Sequence, residues 1–406
     1  SLQSSELRDA RRFMGEYYAL LVSLTLGMFL MAGATNLIMM YIAVELTSLS
    51  SYLLTSFTKD ADDSTEASLK YVIFGAVSSG MMLYGMSILY GLTGSLDLYG
   101  INRVLSAGDA NTTTLLIAGI LTTVGFGYKI SAVPFHFWTP DVYEGAPLPV
   151  TAILSVASKA AGFALMMRFF KVTFIDGAMA GAYGGTWVPV HGFEWNHVLA
   201  ILSVLSMTVG NLIAVWQTNL KRLLAYSSIA HAGYMLLGVV VLSNEGFAAV
   251  LIYLVIYFFM NLGAFFAVML VANATGSEHI DDYRGLGARS PLIGVALTIL
   301  LLSLTGIPPT AGFVGKLYLF SALINAKWFW LVVVAAINSV ISLYYYVRVL
   351  RNIFLQESTG SKEPIRIPLL HAAVLLLFTV PTLLLGVYFG PLVQYAQASI
   401  TMFVNP

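Results

Sequence analysis

Four ionisable side chains lie inside runs of otherwise apolar residues: Glu45, Lys129, Lys159 and Lys316. A charge near the centre of a membrane helix costs about 2.5–3.5 kcal/mol on insertion scales, so four cost on the order of 10 kcal/mol, comparable to a domain's whole stability. Snorkelling or a static ion pair would account for any single one. Either accounts less well for the set, because three positive charges cannot be neutralised by one carboxylate. The surplus lysines must face water or spend time deprotonated, and an amine that does so at physiological pH accepts and releases protons. Proton transfer is the chemistry these residues point to. Glu45 stands in a helix with a polar stripe through Thr47, Ser48 and Ser51. Its expected partner is Lys129, since pairing would offset both burial costs.

Two of the lysines stand beside helix breakers. Pro134 follows Lys129 by five residues, and the run Gly306-Ile-Pro308-Pro309-Thr-Ala-Gly312-Phe-Val-Gly315-Lys316 sets two prolines and three glycines next to one lysine. Proline removes a backbone donor and leaves a carbonyl unpaired, which membrane depth tolerates only within protein or beside water. One proline kink is ordinary. Two, each beside a lysine, mark the path in transporters built from inverted repeats. His231, in a span after Tyr226-Ser-Ser-Ile-Ala230, reads either as a proton relay between Lys159 and Lys316 or as a hydrogen-bonded packing residue. His136, just past Pro134, is expected near the interface with a structural role; His191, His197, His279 and His371 read as loop or membrane-edge residues. No pair has metal-ligand spacing, so no metal is expected. Gly125-x-Gly127 lacks the strand–turn–helix context of a dinucleotide site, and no Walker loop is present.

The elements that position these residues follow from composition. Of 406 residues 58% are hydrophobic and 10% charged, with mean hydropathy +0.82. Soluble domains carry about 25% charged residues, so the chain reads as an integral membrane protein. Twenty basic and twenty acidic residues cancel, leaving no basic footprint for nucleic acid; the absence of cysteine excludes disulfides and Cys-ligated clusters. The polar start, with Arg8, Arg11 and Arg12, does not read as a cleavable signal peptide, and residues upstream of Ser1 are expected.

A spanning helix needs about 20 apolar residues. Eleven segments qualify: 17–34, 36–56, 68–92, 114–137, 148–172, 198–217, 222–243, 247–273, 291–325 (long and interrupted), 328–354 and 368–395. Their runs do not alternate, which excludes barrel strands. With the N-terminus in the cytoplasm, thirteen basic residues fall at cytoplasmic ends (Lys59, Lys70, Lys221 and Arg222 among them) and four at outer ends: Arg103, Arg168, Lys171 and Lys327. That asymmetry obeys the positive-inside rule and supports the span count. The stretches 57–67, 93–113, 173–197 and 355–367 read as short loops, with Gly177 to Gly185 expected to be mobile. The many aromatic residues read as interfacial belts and lipid-facing packing.

The run Lys129-Ile-Ser-Ala-Val-Pro-Phe-His-Phe-Trp-Thr-Pro-Asp-Val-Tyr-Glu-Gly-Ala-Pro-Leu-Pro-Val150 resembles the signature of the antiporter-like subunits of respiratory complex I, in the version most similar to subunit N. The segments Gln217–Ser228 and Gly306–Lys316 fit the same subunit, and the likeness covers essentially the whole chain. The resemblance implies an all-α polytopic fold with two inverted five-helix repeats. These would be 17–172, broken around 129–137, and 198–354, broken around 305–316, after an N-terminal polar segment 1–16 and before a C-terminal helix 368–398. Glu45, Lys129, Lys159 and Lys316 match the family's proton-translocating positions, and a lysine rather than a glutamate at 316 supports subunit N over subunit M. Pro134, Gly306, Pro308, Pro309 and Gly312 are the expected breaks. Family members usually have fourteen helices, so this chain would correspond to helices four to fourteen.

The expected function is proton translocation in a bacterial inner membrane, or alternatively an organellar energy-transducing membrane. No cofactor is expected in this chain; NADH, FMN, iron–sulfur clusters and quinone would belong to partner subunits. The expected partners are the other membrane-arm subunits and the lipid bilayer. Two rivals are a subunit of an Mrp-type cation/proton antiporter, which shares fold and charged row, and a membrane scaffold whose charges pair statically.

Overall fold

The computed structural model describes residues 4, 7, 13–58, 61–108, 110–176, 187–190, 193–358, 363–365 and 367–400. The expectation of mobility for Gly177 to Gly185 lies outside these residues, as do the placements of Arg8, Arg11, Arg12, Lys59, His191, Lys362 and Arg366. Among the described residues the chain is helical, with isolated bridges and no strand. Ten helices are long and apolar enough to cross a membrane, and two shorter apolar helices form the halves of an eleventh crossing.

The crossings are α1 (Met14–Gly33), α2 (Leu37–Thr55) and α3 (Asp62–Thr93), then a short lateral helix α4 (Leu98–Ser106). The first broken helix consists of α5 (Thr112–Ile130) and α6 (Trp138–Gly145). One crossing then joins α7 (Leu148–Ile153), a π turn over Leu154–Ser158 and α8 (Lys159–Phe174). It is followed by α9 (Trp195–Ala214), α10 (Leu220–Val240), α11 (Asn244–Thr275) and the short α12 (Leu286–Arg289). The second broken helix is α13 (Pro291–Thr305) with α14 (Ala311–Asn325), and α15 (Phe329–Leu355), α16 (Leu369–Val387) and α17 (Gly390–Ile400) complete the chain.

Polar caps start the helices. Asn36, Asn111 and Asn219 accept through their side chains from the backbone N–H groups of Ile38, Thr114 and Arg222, and Ser243 accepts from Gly246. The expected loop 57–67 is half absorbed by α3, whose first turn takes Asp62 and Asp63, a favourable place for negative charge. The expected loop 93–113 contains α4, which buries Leu98, Ile101 and Leu105 on one face. The single C-terminal helix expected over 368–398 is two helices: α16 ends at Val387, and Pro391 sits in the first turn of α17, where its missing N–H costs nothing.

Burial sorts the helices into shell and axis. Large apolar side chains of α1, α2, α3, α15 and α16 are exposed, Phe29, Leu53, Val77, Val340 and Leu377 among them. The axis is α10, in which every residue except Arg222 and Tyr226 is buried. Small residues bring it against α9: a Cβ at Gly233 would lie 2.7 Å from Met207 N, and one at Gly210 would lie 2.8 Å from Ala230 N. The aromatic residues depart from the expected belt. Trp216 and Trp330 are exposed near helix ends, but Tyr71, Tyr143, Tyr234, Tyr253, Tyr257, Tyr345 and Tyr346 are fully buried. A tyrosine offers both apolar area and a hydroxyl; Tyr234, Tyr253 and Tyr345 find polar partners inside the bundle, whereas the hydroxyls of Tyr143 and Tyr257 are buried with no hydrogen-bond partner among the described residues.

Candidate functional site

Both helix breaks use the same backbone device. At the end of α5, Ser131 takes φ +64° and Ala132 N–H donates to Gly127 O at 2.7 Å. At the end of α13, Gly306 takes φ +91° and Ile307 N–H donates to Leu302 O at 3.2 Å. Each is a six-to-one closure that ends the helix in a left-handed residue. The groups released by the breaks find side-chain partners. Val133 N–H donates to Ser206 Oγ at 2.9 Å, and Tyr128 O accepts from Trp138 Nε1 at 3.2 Å. Gly312 N–H donates to Ser303 Oγ at 3.0 Å. A Cβ at Gly312 would lie 1.7 Å from Ser303 O, so glycine is required where α14 restarts against α13. The first helix half ends at Ile130, four residues before Pro134, which lies in the connection.

The breaks set the two flanking lysines. Lys129 stands in the last turn of α5, buried, and its Nζ donates to Ser48 Oγ of α2 at 3.3 Å. Its stem crosses α8 at Gly162, where a Cβ would meet Lys129 Cγ at 3.3 Å. Lys316 reaches from α14 back to the last residue of α13. Its Nζ donates to Thr305 O at 2.7 Å and to Ser339 Oγ of α15 at 3.1 Å, and lies 4.4 Å from the centroid of the Tyr234 ring. Lys316 thus uses the carboxyl end of a half-helix, where a free carbonyl favours positive charge, whereas the Lys129 ammonium is met by a hydroxyl of a neighbouring helix.

The expected ion pair of Lys129 with Glu45 does not form. No ion pair within 4.0 Å joins them among the described residues; the ammonium contacts Ser48, one turn further along the same helix. Glu45 is half-buried, its Oε1 has no hydrogen-bond partner among the described residues, and it stays within electrostatic reach of Lys129. The hydroxyls of the stripe bond along their own helix instead, Thr47 to Ala43 O at 2.7 Å and Ser51 to Thr47 O at 2.6 Å.

Between the breaks, Lys159 directly follows the π turn of Leu154–Ser158 and is 1% exposed. Its Nζ donates to Ser228 Oγ at 2.9 Å and Ser228 O at 3.0 Å, with the Tyr143 ring centroid 5.9 Å away. Ser228 lies one turn before His231 on α10. His231 is buried, its Nδ1 is 2.7 Å from Tyr253 Oη, and both Lys159 and Lys316 are within electrostatic reach. Tyr234, one further turn along, meets Ser339 Oγ at 3.1 Å, the same hydroxyl that Lys316 contacts. The face Ser228–His231–Tyr234 therefore spans the interval from Lys159 to Lys316. No carboxylate pairs with Lys129, Lys159 or Lys316 within 4.0 Å among the described residues. Buried ammoniums solvated by neutral hydroxyls and carbonyls can be either charged or neutral without leaving a stranded counter-charge.

His136 lies in the connection that follows the first helix break. It is buried, and its Nδ1 lacks a hydrogen-bond partner among the described residues. His197 and His279 are exposed, His197 beside Glu194 at 3.2 Å. Among the described residues no cluster of His, Asp and Glu could hold a metal ion. Ser228, Tyr234, Tyr253, Thr305 and Ser339 are the partners that sequence reasoning missed; Ser48 stood in the polar stripe but was not named as the partner of Lys129. Ser228 carried a usable signal, its i, i+3 spacing to His231 on a buried helix; Ser339 carried none.

Comparison with known proteins gives consistent results. The family described as NADH:quinone oxidoreductase/Mrp antiporter, TM, matches residues 34–342. NADH-quinone oxidoreductase subunit N 2 of Chloroherpeton thalassium is 50% identical over 392 residues, covering 96% of this chain and 75% of the relative. A chain of respiratory complex I from Thermus thermophilus, solved with bound aureothin, superposes with TM-score 0.78 at 34% identity, covering 93% of this chain and 79% of that one. A chain of the Mrp complex from Dietzia sp. superposes with TM-score 0.81 over 95% of this chain and 77% of that one, at 24% identity, a likeness of fold alone.

Proposed function

Because this chain belongs to the family of membrane subunits shared by NADH:quinone oxidoreductases and Mrp antiporters, we propose that it is a proton-translocating membrane-arm subunit of an NADH:quinone oxidoreductase, respiratory complex I, in a bacterial inner membrane. Its partners are the neighbouring membrane subunits of that complex. NADH, FMN, iron–sulfur clusters and quinone belong to partner subunits, and this chain contributes the enzyme's proton-moving half. Residues 17–172 and 198–354 form the two inverted repeats, each with its broken helix.

The observation that carries this reading is the row of three buried lysines whose ammoniums are met by hydroxyls and carbonyls. Lys129 loads from the cytoplasmic side, and the Glu45 charge modulates how readily it does so. No direct hydrogen bond links Lys129 to Lys159. Buried polar atoms are almost always hydrogen-bonded to protein or ordered water, and Ser131 Oγ, Tyr143 Oη, Tyr257 Oη and Asn261 Oδ1 are buried without a protein partner. Water at these atoms carries the proton onward. From Lys159 it passes along Ser228 and His231 to Lys316 and the outer side. Electron transfer in the partners drives the cycle through changes of charge and hydration along the row.

The Mrp alternative shares this chemistry, but its likeness rests on fold at 24% identity, against 50% for a subunit N. Replacing Lys129 with methionine tests the assignment. Proton pumping driven by NADH oxidation is abolished if Lys129 carries the proton; full pumping in the assembled Lys129→Met complex refutes it.

A further inference from the structure

The proton-carrying row leaves one face of α6 unused. On that face Asp141 accepts through Oδ2 from Lys70 Nζ of α3 at 2.7 Å, and through Oδ1 from Arg222 Nη1 of α10 at 2.8 Å. Arg222 Nη1 also donates to Glu144 Oε2 at 2.6 Å, and Lys70 is shared with Glu66 at 2.8 Å. These groups, with Asp63, line an open cleft of about 310 Å³. The opposite face of α6 carries Thr139 and Tyr143, both fully buried, and Tyr143 is the residue whose ring stands beside Lys159. α6 is therefore a wall one helix thick between a polar cleft and the central lysine.

Eight residues are too few to hold a helix by themselves, so α6 keeps its place through its neighbours. At its start Trp138 stacks on Tyr71 with centroids 4.4 Å apart and donates to Tyr128 O. Toward its end the anchors are the carboxylates of Asp141 and Glu144. Single ion pairs at partly exposed positions contribute little, but Asp141 joins cations from two helices at once, one on each side of α6. We propose that Asp141 is a positioning residue whose pairs with Lys70 and Arg222 clamp α6 shut between the cleft and Lys159. The clamp also ties α3 of the first repeat to α10 of the second.

The functional meaning of the clamp rests on Lys159 as a proton carrier, but its test reads access rather than pumping, so the two fail separately. The chain contains no cysteine, which allows a single reporter, Thr139→Cys, in membranes holding the whole complex. A membrane-impermeant maleimide is added on the side that bears the cleft, and labelling of this chain is followed by mass spectrometry. Labelling is expected to accelerate at least tenfold when Asp141→Asn is added and to return toward the parental rate with Asp141→Glu. Equal rates in the parent and Asp141→Asn backgrounds overturn the proposal. Should Asp141→Asn prevent assembly, the reporter in the otherwise parental complex is labelled at rising salt, which screens partly exposed pairs. A rate that climbs between about 0.01 M and about 1 M salt supports the clamp, and a flat rate overturns it.

Discussion

Gly162→Ala tests whether the position of Lys129 governs proton transfer. The added Cβ would lie 3.3 Å from Lys129 Cγ and 2.9 Å from Ile130 Cγ2. Carbon atoms pack best at about 3.5–4.0 Å, so the lysine stem must retreat by about 0.5 Å. Its ammonium sits 3.3 Å from Ser48 Oγ, already at the long limit for such a bond, so a shift of the stem that carries the ammonium away from Ser48 loses it. A hydrogen bond to a charged group contributes about 1.5–3 kcal/mol, or roughly 10- to 150-fold in a rate that depends on it. The helix itself gains from the change, because alanine replaces glycine in a helix interior with a benefit of about 0.5–1 kcal/mol. The 2.9 Å approach to Ile130 Cγ2 must also be relieved, so pumping is read per assembled complex, which separates a packing cost from a displaced lysine. Proton uptake into inverted membrane vesicles on NADH addition is expected to fall at least tenfold, and further with Gly162→Val. Electron transfer from NADH to a water-soluble acceptor, performed by partner subunits, is expected to stay at the parental level and reports assembly. Parental pumping in both variants would refute the reasoning.

Three other substitutions probe the row. Ser228→Ala removes one of the two hydrogen bonds to Lys159 and leaves the carbonyl; a cost of about 1.5–3 kcal/mol slows vesicle proton uptake about tenfold or more, and an unchanged rate would remove Ser228 from the route. Tyr253→Phe removes the partner of His231 Nδ1; a relay role lowers pumping with the assembled amount unchanged, whereas a packing role lowers thermal stability and leaves pumping per complex intact. Gly306→Ala forces a side chain into φ +91° with a Cβ 2.8 Å from Lys316 Cδ. The left-handed conformation alone costs about 1–2 kcal/mol, so the assembled complex recovered from membranes is expected to fall sharply.

The charged row was legible because each member breaks the composition of its span, and the breaks were legible because proline and glycine cluster beside two of the lysines. The structure brings Lys159, His231 and Lys316 to one buried face of α10, an arrangement the sequence could only leave open. The Glu45–Lys129 contact was misjudged for a geometric reason. Residues 45 and 48 are neighbours on one helix, and charge complementarity names the carboxylate while the reach of the lysine selects the serine. The inward-facing tyrosines were unreadable, since a tyrosine at a lipid belt and one in a polar core have the same composition signal. α4 and α6 were missed because each is shorter than the window that detects a span, although the 98, 101, 105 spacing on α4 was available.

The encasement of α10 has a mechanical consequence. Acyl chains press on the outer helices and reach Ser228, His231 and Tyr234 only by way of them. A thicker or thinner bilayer is accommodated by tilt of segments that touch it, so α1, α3 and α16 yield while the central rod keeps its register against the lysines. The conductor is thus isolated from the medium it crosses, much as a bearing lets a housing flex around a shaft held true.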